Sequence, residues 1–245
     1  MPVIMAEMKV DIVIPLYNEE KILEKSVKTL ADFLRQSNFP YDYSITLADN
    51  ASTDNSQDIC RELSHRYNQV RCLKIGQKGK GLAIRTAWSK SDVDILAFMD
   101  IDLASDLNFL KPLIESIAIG KNDMAIGNRR GQKSQVFSDK ITRRFASKVF
   151  NFMVQIIFKS PFIDHQCGFK AISKEKFNLI MPFLSENGFF IDTELIIVSL
   201  VHGLKIQPID IIWRDNRNSK VSLFGDSIRM FVDIFRLRYK LNGRL

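Results

Sequence analysis

Asp100-Ile-Asp102 closes an apolar run, Ile95-Leu-Ala-Phe-Met99. Two closely spaced carboxylates at the end of a buried strand suit a cation shared with a diphosphate, since carboxylates and phosphates repel each other unless a cation sits between them. Mg²⁺ or Mn²⁺ takes one or two carboxylates plus phosphate oxygens and keeps positions open for substrate. Asp-x-Asp is short enough for chance to supply it, and Asp92-Val-Asp94 is a second such pair. Position separates the two. Asp92 and Asp94 precede the apolar run; Asp100 and Asp102 follow it. In open α/β sheets ligands bind beyond the carboxyl ends of the strands. The plain alternative is a solvated carboxylate pair in a loop.

Other polar segments fall after other predicted strands. They are Pro15-Leu-Tyr-Asn-Glu-Glu20, Asp49-Asn-Ala-Ser-Thr-Asp54, Lys78-Gly-Lys-Gly81 and Gly127-Asn-Arg129. Singly, each reads as a turn or a helix cap. Jointly they place carboxylates for a metal and bases for phosphate along one sheet edge.

The elements that must position them alternate. Strands are predicted over 9–15, 43–48, 70–75, 93–99 and 124–127, with helices over 19–34, a segment capped by Ser52 or Thr53 and running to Arg66, 81–89, and a short one opened by Asp106. Strands separated by helices of this length imply an α/β fold with a mostly parallel sheet covered on both faces.

The 245 residues suit one such domain, with 46% apolar residues to fill its core. Cys60, Cys72 and Cys167 are odd in number and at no metal-ligand spacing, so reduced thiols of a cytosolic chain are expected. Met1–Val10 contains Glu7 and Lys9 and lacks a long apolar core, so no secretory signal is expected. The net charge of +7 admits an anionic membrane, an anionic substrate or nucleic acid. No nucleic-acid-binding motif is recognisable, and the first two rank above the third.

The second half is basic and apolar. Residues 131–139 read as a polar, mobile segment. Residues 142–159 read as a very apolar helix on which Lys148, Asn151 and Gln155 form a narrow polar stripe; it either lies in a bilayer interface or packs on the core. Near the end, Phe224, Ile228, Phe231 and Phe235 form one helical stripe, which Met230, Ile234, Leu237 and Leu241 widen among arginines. That pattern divides the chain into a catalytic domain, 1–221, and a basic amphipathic helix, 222–245, that either touches a membrane surface or closes the domain edge.

Val13-Ile-Pro-Leu-Tyr-Asn-Glu19, Asp49-Asn-Ala-Ser-Thr-Asp54 and Asp100-Ile-Asp102 resemble the nucleotide-sugar half of family 2 inverting glycosyltransferases of the GT-A fold. Gly127-Asn-Arg129, Asp164-His-Gln-Cys-Gly-Phe-Lys170 and Phe190-Ile-Asp-Thr-Glu-Leu195 are similar to polyprenyl-phosphate sugar transferases, and Asp164 to Lys170 with Arg236-Leu-Arg-Tyr239 lean toward the dolichyl-phosphate glucosyl branch over the mannosyl one. The resemblance implies that Pro15, Tyr17 and Glu19 line the nucleoside pocket and Asp49 binds the base. It implies that Lys80, Arg214 and Lys220 bind the donor diphosphate beside Trp213, and that Asp100 and Asp102 hold Mg²⁺ or Mn²⁺. Arg129 falls where phosphate is contacted, Arg143 and Ser147 match an acceptor-phosphate pair, and Asp192 and Glu194 match the acidic pair opposite the sugar. Where mannosyl enzymes of the group often have a metal-binding glutamine, this chain has Ala104.

The implied reaction moves a hexose from a nucleoside diphosphate, UDP-glucose before GDP-mannose, to a polyprenyl (dolichyl) phosphate with inversion. The implied setting is peripheral, at the cytoplasmic face of a membrane, with or without an anchoring subunit. Arg129, Asp192 and Glu194 are the catalytic candidates. A phosphate monoester is mostly ionised at neutral pH, its second pKa being about 6, so no strong base is required of the acidic pair. Transfer to a glycan hydroxyl, nucleotidyl transfer and a non-catalytic membrane module are the competing readings.

Overall fold

The computed structural model describes residues 8–137, 141–215 and 225–241. Seven strands form the main sheet in the order β3-β2-β1-β4-β7-β5-β8. They are β1 (Lys9–Leu16), β2 (Asp42–Asn50), β3 (Val70–Ile75), β4 (Ile95–Met99), β5 (Met124–Asn128), β7 (Phe169–Ser173) and β8 (Ile206–Asp210). Only β7 is antiparallel, wedged between β4 and β5. The helices are α1 (Leu23–Gln36), α2 (Ser56–Arg66), α3 (Lys80–Lys90), α4 (Leu110–Ala118), α5 (Ile141–Phe158), α6 (Lys174–Ile180), α7 (Ile191–Val201) and α8 (Gly225–Lys240).

Strand alternation assigns the faces. Ile12, Ile14, Ile45, Leu47, Ala97 and Met99 point toward α1, α2 and α4; Val13, Ala48, Leu96, Phe98 and Ile126 point toward α3, α5, α6, α7 and α8. With both faces covered, β1, β2, β4 and β5 are buried along nearly their whole length and read as largely apolar runs in the sequence. The chain leaves β1 toward β2 and returns on its other side as β4, so the loops after β1 and β4 part and open a crevice.

Three expectations are corrected. Ser52 and Thr53 do not cap α2, whose N-terminus shows no side-chain cap; Ser52 Oγ accepts from the Asn18 N–H at 2.9 Å, and the Thr53 N–H donates to Asn18 Oδ1. Cys60 on the inner face of α2 is disulfide-bonded to Cys72 of β3, their Cα atoms 5.6 Å apart, which leaves Cys167 as the free thiol. In the segment 131–139 the described residues are not a loose loop: β6 (Gln135–Phe137) pairs in parallel with β9 (Ile212–Arg214), and Ser134 Oγ donates to the Asn128 carbonyl at 2.6 Å, while 138 and 139 lie outside the described residues. Within the polar stripe of α5, Asn151 is buried while Lys148 is exposed.

α5 turns Phe150, Val154 and Phe158 into the core and leaves Val149, Phe152 and Ile156 exposed. In α8 the buried residues are Ile234 and Leu237, with Leu241 just beyond, whereas Phe235 is exposed and Phe231 half-buried against Phe150. Phe224 and the side chain of Ile228 lie outside the described residues.

Candidate active site at the carboxyl edge of the sheet

The antiparallel β7 begins where β4 ends. The Asp100 N–H donates to the Gly168 carbonyl at 3.1 Å, and a Cβ on Gly168 would run into the Asp100 carboxylate. Glycine there lets the backbone press against a functional side chain. Asp100, Asp102, Ala104, Ser105, Gly168 and Trp213 line one small pocket. Pairing of Ser105 with Trp213, and the Arg214 N–H bond to the Ala104 carbonyl at 2.8 Å, bring the β9 strand across the mouth of this pocket.

Lys80, at the start of α3, connects the pocket to α7. Its Nζ is 2.8 Å from Asp100 Oδ1 and 2.8 Å from Asp192 Oδ2. The glycines around it permit this. A Cβ on Gly79 or Gly81 would strike the Asn187 or Glu186 carbonyl, and the Gly79 N–H is held by Asn50 Oδ1 at 2.9 Å. Asp192 takes Lys170 Nζ at 2.8 Å on its other oxygen.

The charges do not balance at the pocket. Removal from bulk water pushes the Asp100 carboxyl above its ordinary range; Lys80 opposes this, and Asp102 and Asp192 add to it. Burial also pushes Asp192 up, but Lys170 and then Lys80 outweigh it and hold that carboxyl below the ordinary range. Asp100 and Asp102 are hard oxygen donors in a spot of surplus negative charge, which fits Mg²⁺ or Mn²⁺. Among the described residues no group of three metal-ligating side chains occurs, so two carboxylates are the protein's offering.

Arg129, just past β5, makes a bidentate pair with the buried Asp164: Nε to Oδ2 and Nη2 to Oδ1, each 2.8 Å. Burial pulls the Asp164 carboxyl up, yet Arg129 dominates and holds it well below the usual range. The guanidinium lies over Trp213, 5.6 Å from the ring centre. Next to it, Arg130 Nη2 donates to Ser147 Oγ at 2.9 Å, which ties α5 to this edge. Burial pushes the Cys167 thiol up to about 12, so it offers no nucleophile at neutral pH.

The nucleoside-pocket candidates gather at the ends of β1 and β2. Pro15 pairs in register with Ala48 and Leu16 ends the register with Asp49, and Lys78 Nζ sits 3.9 Å from the centre of the Tyr17 ring. The Glu19 N–H donates to Ser56 Oγ at 2.7 Å, and the buried Asp49 accepts from the Ser52 N–H at 3.1 Å. Arg214 stacks over Phe137 at 4.7 Å and shares with Asp102 a groove of about 600 Å³ along α1. The side chain of Arg143 and all of Lys220 lie outside the described residues.

Glu194 is not brought to this group. Its carboxylate accepts from the Ser185 N–H at 3.1 Å and the Glu186 N–H at 2.9 Å, and Lys240 Nζ stands 3.6 Å away. It holds the 185–186 loop that packs on Gly81. Lys170 and Asp164 were not assigned roles from sequence. A lysine inside the apolar stretch Gly168-Phe-Lys-Ala-Ile172 was the available signal, because a lysine there must find a buried carboxylate.

Comparison with known proteins adds to this geometry. The family described as Glycosyl transferase family 2 matches residues 11–180. The chain is 29% identical over 241 residues to glycosyltransferase AglD of Haloferax volcanii, covering 98% of this chain but 38% of that protein. It is 29% identical to the dolichyl-phosphate beta-glucosyltransferase of Saccharomyces cerevisiae, covering 96% of this chain and 76% of the relative. Among solved structures, glucosyl-3-phosphoglycerate synthase from Mycobacterium tuberculosis, in complex with Mn²⁺, UDP and phosphoglyceric acid, superposes with a TM-score of 0.73 at 19% identity, over 97% of this chain and 80% of that one. At that identity the likeness speaks for the GT-A fold alone.

Proposed function

The chain belongs to glycosyl transferase family 2, and from that premise we propose that it transfers a hexose from a nucleoside-diphosphate sugar, UDP-glucose by preference, to a polyprenyl phosphate with inversion at the anomeric carbon. The dolichyl-phosphate beta-glucosyltransferase relatives, aligned along nearly the whole chain, support the glucosyl group and the acceptor class.

The observation that carries the acceptor assignment is the state of Asp192. Both of its oxygens are in ion pairs with lysines, and its carboxyl is held below the ordinary range. Such a carboxylate is a poor proton acceptor. A sugar hydroxyl needs a base as it attacks, whereas a phosphate monoester arrives mostly ionised. A lysine-clamped Asp192 therefore suits a phosphate nucleophile.

Asp100 and Asp102 would hold the divalent cation, which when bound would supply Lewis-acid neutralisation of charge on the leaving diphosphate. Lys80, Arg214 and Lys220 bind the donor phosphates, with Pro15, Tyr17, Glu19 and Asp49 around the nucleoside. Arg129, aimed by Asp164, and Arg143 with Ser147 receive the acceptor phosphate; a guanidinium fork matches phosphate oxygens.

A lipid acceptor also gives a use to the ridge formed by α5 and α8. Phe152, Ile156, Val232, Phe235 and Tyr239 are exposed there beside Lys148, Arg229 and Arg236. An apolar ridge with a basic flank suits peripheral docking on anionic lipid. No helix among the described residues is long and apolar enough to cross a membrane. Incubation with UDP-glucose or GDP-mannose, Mg²⁺ or Mn²⁺, and either polyprenyl phosphate or glycan acceptors tests the proposal. Glucosyl-phosphoryl-lipid is the expected product; turnover with hydroxyl acceptors alone overturns it.

A further inference from the structure

Lys170 of β7 is fully buried. Its Nζ donates to Asp192 Oδ1 at 2.8 Å and to the Cys167 carbonyl, 5.6 Å from the centre of the Phe98 ring. Burying a lysine is costly, and an apolar side chain of the same length would fill the space at no such cost. Lysine supplies two things methionine cannot: a fixed positive charge behind Asp192, and a donor to the carbonyl that precedes Gly168.

Both bonds lead to the same pocket. Through Asp192, charge alternates from Lys170 to Lys80 and on to Asp100 Oδ1. Through Cys167, the bond steadies Gly168, whose carbonyl accepts from the Asp100 N–H and whose Cα abuts the Asp100 carboxylate. Asp100 is thus fixed at its backbone and at its carboxylate from one buried ammonium.

We propose that Lys170 is a positioning residue for donor binding, one that preforms the diphosphate pocket by fixing Asp192, and through it Lys80, together with the backbone at Cys167 and Gly168. The assignment rests on reading Asp100 and Asp102 as the donor-diphosphate site. Lys170 touches neither substrate. Without it, Asp192 keeps one of its two lysines, and Lys80 is drawn toward the uncompensated carboxylate and away from Asp100.

Calorimetric titration of UDP and of GDP with Mn²⁺ into the wild type, Lys170→Met and Lys170→Arg tests this, with melting curves and steady-state kinetics alongside. Folded Lys170→Met is expected to lose about 10- to 100-fold in nucleotide affinity, the usual effect of removing a group that orients a ligand-binding residue. Its KM for the donor rises while its KM for polyprenyl phosphate stays, and Lys170→Arg recovers part of the loss. Wild-type affinity in folded Lys170→Met overturns the assignment. If Lys170→Met does not fold, Asp192→Asn takes its place: it keeps an acceptor for Lys170 and removes the charge that Lys80 answers, and unchanged affinity there also overturns the assignment. Failure of the wild type to bind either nucleotide overturns the site reading itself, and the assignment with it.

Discussion

His165 joins α5 to the loop that carries Asp164, and its titration should be visible in the stability of the whole domain. The ring is fully buried. Nδ1 is 2.8 Å from Asn151 Oδ1 and Nε2 is 2.8 Å from Ser160 Oγ. Asn151 donates its amide N–H to the Ser147 carbonyl, so its oxygen faces the histidine. The neutral tautomer with the proton on Nδ1 therefore satisfies every partner. Burial pulls the imidazole from 6.5 down to about 4; Asp164 opposes this, while Lys170 and Arg130 add to it. The unfolded chain takes up the proton near the ordinary value and the folded chain does not, so stability is full above that value and declines as pH falls. Linkage with these two values gives a loss of about 2 kcal/mol between pH 7.5 and pH 5, and about 3 kcal/mol by pH 4. Urea unfolding of the wild type and of His165→Gln over that range isolates the effect, because other carboxyl groups titrate in both. The wild-type curve should rise with pH by about 2 kcal/mol more than the variant's. Parallel curves would refute the buried neutral histidine.

Asp164→Asn strips the charge from a buried bidentate pair and should cost about 3–5 kcal/mol, read as a lower urea midpoint; an unchanged midpoint would remove Asp164 as the anchor of Arg129. Gly168→Ala places a methyl group against the Asp100 carboxylate, and Mn²⁺-dependent UDP binding should fall at least about tenfold. Retained affinity would show that this close approach is not needed. Glu194→Gln should lose about 1–3 kcal/mol of stability by weakening the 185–186 loop, yet keep kcat. A loss of kcat matching that of Asp192→Asn would return Glu194 to the chemistry.

Five of the six parallel strands of the main sheet were legible: β1, β2, β4 and β5 are buried along nearly their whole length, and β3, at the sheet edge, is bounded by Asn68 and Gly76. Local pattern predicts no strand over 135–137, 169–173, 206–210 or 212–214, where the structure has four. Phe169-Lys-Ala-Ile-Ser173 contains a lysine that only a distant Asp192 makes tolerable, and Ile212-Trp-Arg214 is a strand only because Gln135–Phe137 pairs with it. Such contacts join segments far apart in the chain, and local periodicity holds no record of them. The same holds for Cys60 and Cys72, which meet because α2 packs over β2 and β3. At the site, Asp100 and Asp102 were placed by their position after β4, and Lys80 by the strand before it. Lys170, which pairs with Asp192, and Asp164, which pairs with Arg129, have no role legible from sequence, because their partners lie far along the chain. The resemblance paired Glu194 with Asp192, but the two side chains leave α7 in different directions, one to the lysines and one to the 185–186 loop.

The most direct measurement is transfer of labelled glucose from UDP-glucose to dolichyl phosphate by the wild type and by Asp102→Asn, each with Mn²⁺ and with a chelator. Inverted glucosyl lipid from the wild type with metal, and almost none from the variant or under chelation, is the predicted result. Equal turnover by Asp102→Asn, or undiminished turnover under chelation, would contradict a metal-assisted nucleotide-sugar site at the end of β4.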